Sequence, residues 1–247
     1  MTKLSVNINK IALLRNQRNI DIPSVIESAR TILSAGSYGI TVHPRPDERH
    51  IRYSDVYELS ELLRKDYKGA EFNIEGNPFT GKYMDIACEV KPDQATLVPD
   101  SPGAVTSDHG WNLTADAARV EPVIQKLKDS QIRVSLFMDP VPAGIEIAKK
   151  IGADRIELYT EPYATAFRTN TKLAETIERY ATAAKFASQI GLELNAGHDL
   201  NLQNLARFLS DVPGILEVSI GHALIAEAFE MGLYNIVKEY VKILSKT

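Results

Sequence analysis

Histidine, carboxylate and arginine side chains placed where strand-like runs end are the groups in this chain suited to moving protons and holding anions. His43 follows Gly39-Ile40-Thr41-Val42, Glu75 follows Phe72-Asn73-Ile74, and His198 follows Asn195-Ala196-Gly197. A carboxylate at such a position, walled by apolar side chains, resists ionising and can work as an acid or base near neutral pH. For Glu75 an ion pair with Arg45 or Lys82 is the alternative. Glu157 lies mid-run in Arg155-Ile156-Glu157-Leu158-Tyr159, where pointing inward gives it more partners than pointing at an apolar helix. Four of the five histidines, His43, His50, His198 and His222, fall after such runs, whereas His109 reads as a solvated loop residue.

Anion-holding groups share these positions. His43-Pro44-Arg45-Pro46-Asp47-Glu48-Arg49-His50 is a cationic loop, and Arg15 with Arg18 suggests a second one after the first run. The turn Gly221-His222-Ala223 opens a helix whose first N–H groups can cradle a phosphate. Asn7, Asn9 and Thr106 add neutral hydrogen-bonding groups in the same kind of place. Two histidines with two carboxylates on several strands are also how metal-dependent epimerases are built. No His-x-His or His-x-x-x-His pair occurs, however, so ligand spacing disfavours a metal. Cys88 sits at helical spacing from Met84 and reads as packing.

These positions belong to a repeating βα pattern. Eight β-type runs are expected, near Leu4–Ile8, Tyr38–Val42, Glu71–Ile74, Gln94–Val98, Arg133–Met138, Arg155–Tyr159, Glu193–Asn195 and Leu216–Ile220. Between them lie helical stripes such as Val25, Ala29, Ile32 and Leu33, or Leu173, Ile177, Tyr180, Ala184 and Ala187. Gly36 and Gly152 mark left-handed helix ends before two of the strands. A final helix carries Ile236, Val237, Tyr240, Val241 and Leu244, an apolar face that either the barrel or a neighbouring subunit must cover. With no linker or low-complexity segment across positions 1–247, the pattern predicts one α/β domain, a (β/α)8 TIM barrel with additional helices. An open doubly wound sheet is the structural alternative.

Bulk properties narrow the classes further. The 247 residues carry 28 basic and 32 acidic side chains, a formal charge of −4 without like-charge blocks, which disfavours nucleic acid and anionic membrane as partners. Hydrophobic residues make up 44%, enough for a sizeable core. One cysteine excludes an internal disulfide, and neither a signal-peptide core nor an apolar run of about 18 residues occurs, so a cytoplasmic protein is expected.

Taken together, Val6-Asn7-Ile8-Asn9 with Leu14-Arg15-Asn16 and Arg18, Gly39-Ile40-Thr41-Val42-His43-Pro44-Arg45, Asn73-Ile74-Glu75, Asn195-Ala196-Gly197-His198 and Ile220-Gly221-His222-Ala223 closely resemble the pyridoxine 5′-phosphate synthase family of vitamin B6 biosynthesis. The resemblance runs nearly end to end. It implies a homo-octamer of TIM barrels that condenses 3-amino-2-oxopropyl phosphate with 1-deoxy-D-xylulose 5-phosphate, using no metal or organic cofactor. It further implies that His43 and Glu75 accept protons, His198 donates one and Glu157 stabilises a transition state. Asn7, Arg18, Gly221 and His222 are then expected to hold the aminoketone phosphate, and Arg45, His50 and Thr106 the deoxyxylulose phosphate. Asn9-Lys10 stands where the family more often has Asp-His, and Asp199 where a glycine is frequent. Asn9, Lys10 and Asp199 therefore remain expected substrate contacts of altered chemistry. Two other readings are a metal-dependent sugar-phosphate epimerase and a catalytically silent barrel that senses phosphorylated metabolites.

Overall fold

The computed structural model describes residues 1–246 apart from 19 and 102. Eight parallel strands, β1 (Lys3–Asn7), β2 (Gly39–Val42), β3 (Glu71–Gly76), β4 (Gln94–Leu97), β5 (Arg133–Met138), β6 (Arg155–Tyr159), β7 (Glu193–His198) and β8 (Ile215–Ile220), pair in sequence order. Leu4 of β1 pairs with Val218 of β8, which closes the sheet and excludes the open doubly wound alternative. Among the described residues, eleven helices connect the strands: α1 (Asn9–Asn16), α2 (Val25–Ser34), α3 (Tyr53–Asp66), α4 (Tyr83–Val90), α5 (Leu113–Asp129), α6 (Pro142–Lys150), α7 (Glu161–Thr169), α8 (Leu173–Gln189), α9 (Leu205–Asp211), α10 (His222–Met231) and α11 (Leu233–Leu244). Three of these, α1, α7 and α10, come directly after a strand and precede a second helix, so they thicken the face at which the strands end.

Local chemistry explains the elements. Ser24 caps α2 by accepting the Glu27 N–H, and Val25, Ala29, Ile32 and Leu33 are buried on one face as their spacing requires. Gly36 and Gly152 turn the chain at φ +103° and +90°, a region where a side chain is strained. The apolar face of α11 packs on α2, α10 and β1, so the barrel itself covers it. Cys88 is half-buried in α4 and packs against the core.

Two strands outrun their expected ends. β3 continues to Gly76 because Glu75 and Gly76 still find partners in Thr96 and Leu97, and β7 continues to His198, paired with Ile220. Glu75 and His198 are therefore strand residues rather than loop residues, with the backbone fixed by the ladder. In the other direction, β1 ends at Asn7, one residue before Ile8, where the chain turns into α1.

Strand alternation divides the interior into two unlike parts. Leu4, Val6, Ile40, Val42, Phe72, Ile74, Ala95, Leu97, Val134, Leu136, Ile156, Leu158, Val218 and Ile220 face the helices and form the apolar core. The alternate residues fill the barrel with polar side chains instead of the branched aliphatics common in such barrels. Ser5 and Thr41 share a 2.7 Å hydrogen bond, Asn73 links Thr41 to Thr96, and Asn195 donates across the barrel to Gln94 at 3.4 Å. Below them Arg133 pairs with Glu71 at 2.6 Å and Arg155 with Glu217 at 3.4 Å. The apolar-run reading of the sequence did not anticipate this interior, because each polar residue stands singly between two hydrophobic ones.

A buried ion pair anchors the loops above. Arg15 of α1 and Asp55 of α3 are both buried, and Arg15 Nη2 donates to Asp55 at 2.8 Å and to the His50 carbonyl at 3.2 Å. Neighbouring Asn16 donates to the carbonyls of Glu48, Arg49 and His50. Arg15 thus holds the His50 loop in place, which corrects its assignment to a second anion-binding loop: its guanidinium is committed to Asp55. Replacing it by Met leaves a buried carboxylate without its partner, and a loss of about 3–5 kcal/mol in urea unfolding is expected. A loss below about 1 kcal/mol would place the pair with ordinary surface ion pairs.

Candidate active site

At the C-terminal end of the barrel the strands open into a cavity of about 300 Å3. It is lined by Asn7, Asn9, Lys10, His43, Arg45, His50, Glu75, Thr106, Glu157, His198, Asp199, Gly221 and His222, together with Val98, Val105, Ser107, Phe137 and Ser219. All but one of the residues expected to carry catalysis or hold substrate meet here, from seven of the eight strands or the segments that follow them. The exception is Arg18, which is exposed beyond the end of α1 and does not line the cavity. His109 lies outside as expected, exposed and paired with Asp108. A larger groove of about 540 Å3 at the opposite end of the barrel is lined by the starts of β1 and β2 and by α11, and contains no histidine. The histidines suited to proton chemistry therefore gather at the C-terminal end.

Glu75 projects from β3 and accepts a 3.2 Å hydrogen bond from Asn7 Nδ2. Its carboxyl is raised to about 7, chiefly by removal from water; His198 and Arg45 oppose the rise and Asp100 adds to it. It forms no ion pair with Arg45 or Lys82. Arg45 is instead buried against Asp100 and donates to the Ala104 carbonyl at 3.0 Å. Asp100, which also accepts the Ser107 hydroxyl at 2.7 Å, was missed in the sequence, where an aspartate in a polar loop carries no distinguishing signal.

Burial sorts the other titrating groups. His43 is pushed well below the usual histidine range by loss of water and by the charges of Arg45, His50, Arg49 and His198. His50 falls to about 4 for similar reasons, with Arg45 and Lys10 the main charges; its Nδ1 accepts the Ile51 N–H at 2.9 Å, so the ring proton resides on Nε2. Glu157, 3% exposed on β6, is raised well above the carboxylate range by burial and then by Glu75 and Glu217. One of its oxygens, Oε2, has no hydrogen-bond partner among the described residues. For His198, burial lowers the value, but the hydrogen bond and charge of Asp199, then Glu75 and Asp100, outweigh it and leave the imidazole raised. At neutral pH the cavity therefore holds a neutral His43, a neutral Glu157, a Glu75 near its midpoint and a His198 biased toward the cation.

Small residues create the space. A Cβ on Gly197 would lie 2.6 Å from Glu157 Oε1 and 2.5 Å from the Ser219 carbonyl, so only glycine lets β7 pass beside the Glu157 carboxyl. A Cβ on Gly221 would lie 3.1 Å from Asn7 Cβ, a tight contact rather than a clash, and Gly221 precedes α10, whose first N–H groups have no acceptor within the helix. Asn9 ties the first loop to the second strand: its Oδ1 accepts the His43 N–H at 2.9 Å, while its own N–H donates to Asn7 Oδ1 at 3.0 Å. Val98, Phe137 and Tyr159 form a small apolar cluster apart from the main core, against which the His198 ring packs at 6.4 Å from Phe137 and 6.0 Å from Tyr159. Among the described residues, no three His, Cys, Asp or Glu side chains are grouped to hold a metal ion, and no helix is long and apolar enough to cross a membrane.

Comparison with known proteins agrees with this architecture. The fold is shared with a mutant tryptophan synthase α-subunit from the hyperthermophile Pyrococcus furiosus, at a TM-score of 0.66 and 13% identity over 99% of this chain and 100% of that one. Sequence likeness is much closer elsewhere. A protein of Christiangramia forsetii named pyridoxine 5′-phosphate synthase is 52% identical over 99% of this chain and 100% of its own. Another of that name from Albidiferax ferrireducens is 51% identical, covering 99% and 98%. Residues 4–246 match the family described as Pyridoxal phosphate biosynthesis protein PdxJ, and the chain belongs to that family.

Proposed function

We propose that this chain is a pyridoxine 5′-phosphate synthase, joining 3-amino-2-oxopropyl phosphate to 1-deoxy-D-xylulose 5-phosphate with release of phosphate and water. The observation that carries the reading is the meeting of His43, Glu75, Glu157 and His198 around one cavity with their proton affinities pushed apart. Membership in a family whose relatives bear that name over their full length supports it. Imine formation, loss of phosphate and ring closure with dehydration need protons to leave carbon or nitrogen and reach departing oxygens, and hydration needs one taken from the attacking water. A site holding bases and acids of different strength can perform that sequence at one pH.

Each role follows from an environment. His43 and Glu75 accept protons, because His43 is neutral and Glu75 ionises near 7. His198 donates, because its surroundings favour the imidazolium. Glu157 keeps its proton and offers it as a hydrogen bond to an oxygen gaining negative charge. The N–H groups at Gly221-His222, with Asn7, suit one phosphate. Neutral His50, Thr106 and the cationic Lys10 suit the other. Arg45 contributes positive potential from its pair with Asp100 rather than an open bidentate fork. Arg18 reaches the aminoketone phosphate in this reading only through movement of the first loop. A homo-octamer in the cytoplasm belongs to the same proposal.

Purified protein given both substrates is expected to form pyridoxine 5′-phosphate and inorganic phosphate in equal amounts; absence of both products would remove the proposal. Turnover should trace a bell, rising near pH 7 as Glu75 ionises and falling above the ordinary histidine range as His198 loses its proton. Glu75→Gln should cut turnover by about 100-fold or more while leaving phosphate-ligand affinity nearly unchanged, and should abolish the acid limb. Equal losses of affinity and rate would make Glu75 a structural residue. Glu157→Gln tests the neutral acid through stability. Near pH 4 folded and unfolded chains both carry the Glu157 proton, but as pH rises the unfolded chain ionises first and the native state loses stability. The variant should therefore match the parent in urea at pH 4 and gain on it with rising pH, by at most about 1.4 kcal/mol for each pH unit. A gain independent of pH would show that the carboxyl ionises normally.

A further inference from the structure

His198 is held by contacts on both ring nitrogens. Nδ1 lies 2.7 Å from Asp199 Oδ2, and Nε2 lies 2.9 Å from the Thr106 hydroxyl. The residue takes φ +88°, a conformation that side-chain-bearing residues rarely adopt, while its ring rests on Phe137 and Tyr159. Asp199 is fixed as firmly: its N–H donates to Thr160 Oγ1 at 3.3 Å and its carbonyl accepts Asn204 Nδ2 at 3.2 Å. Thr160 in turn donates to the Gly197 carbonyl, so the segment carrying both side chains is tied to the end of β6. These bonds set where the Asp199 carboxylate stands before any substrate arrives.

We infer that Asp199 is a positioning residue for His198: its side-chain carboxylate holds the Nδ1 proton and thereby dedicates Nε2 to proton transfer in the cavity. A carboxylate only accepts, so the 2.7 Å contact requires hydrogen on Nδ1. Neutral His198 then presents an Nε2 lone pair, which takes the Thr106 hydroxyl hydrogen; cationic His198 presents Nε2–H. Donating to Asp199 keeps the ring from turning over and from shifting its proton between nitrogens, the part a carboxylate plays behind a catalytic imidazole. Its charge also counters the cost of burying the cation. The other charged or titratable groups acting on His198 are Glu75 of β3 and Asp100 after β4, which favour the cation, and His43 after β2, which disfavours it when charged. Tyr159 packs on the ring as well, with its hydroxyl held protonated by burial, but of these groups it is Asp199 that hydrogen-bonds the ring. This assignment goes past the substrate contact expected at Asp199, and it rests on the proposed role of His198 as proton donor.

The native protein, labelled with 15N in its histidine rings and assigned with a His198→Gln sample, tests it directly. Above its midpoint, His198 is expected as the Nδ1–H tautomer; an Nε2–H tautomer would overturn the assignment. In Asp199→Asn and Asp199→Ala the His198 midpoint should move to lower pH. Turnover at pH 8 should then fall about ten-fold further than turnover at pH 6, as expected when a neighbouring opposite charge is removed. An unchanged midpoint in both variants also rejects the pairing. A protein that makes no pyridoxine 5′-phosphate yet shows this tautomer and shift supports the pairing and overturns the functional reading. An active protein showing neither does the reverse.

Discussion

Closure of the sheet by β1 against β8 turns the inward positions of eight strands into one confined space. Nothing on an open sheet would bring Asn195 of β7 to Gln94 of β4, or set Glu75 and Glu157, from strands on different sides, close enough for Glu75 to raise the proton affinity of Glu157. Confinement also removes water. Each carboxyl in the space must find a donor, keep its proton or pair with a cation. Glu71 and Glu217 lie beside Arg133 and Arg155, Glu157 keeps its proton, and Glu75 stays near its midpoint.

The outcome depends on height in the barrel. At the N-terminal end Arg133 and Arg155 lie against Glu71 and Glu217, forming a charged floor in which burial and Glu71 still raise Glu217 well above the usual carboxylate range. Hydroxyl and amide side chains follow in the middle, where Ser5, Thr41, Asn73 and Thr96 hydrogen-bond in a chain. Toward the mouth arginine no longer reaches the carboxyls: Arg45 is committed to Asp100, and Glu75 is left with the amide of Asn7. A carboxyl given a weak donor in place of a cation is poised to exchange protons, so the same physics that stabilises the floor prepares the mouth for chemistry.

The surrounding loops supply rigidity and access. Arg15 and Asn16 fasten the loop carrying His50, Asn9 fastens the backbone of His43, and Thr160 with Asn204 fastens Asp199. Several of these fasteners are polar residues with no chemical task of their own, which explains how a site can depend on side chains that never meet a substrate. Glycines at 197 and 221 complete it by absence of bulk.

Much of this was legible in the chain order. Periodic apolar stripes, glycine turns and eight β-type runs establish a βα repeat, and the appearance of His43, Glu75 and His198 after such runs puts them at one end of it, because parallel strands all finish on the same face. Motif resemblance adds the family. Tertiary structure decided what depends on partners distant in sequence. Arg15 reads as an open anion-binding group until Asp55, on a different helix, is seen to hold it, and Arg18 lies outside the cavity. Glu75 and His198 become strand residues only through the ladders of β4 and β8. Hydrophobic pattern is a property of neighbours along the chain, whereas ion pairing and proton affinity are set by whichever groups folding brings within a few ångströms.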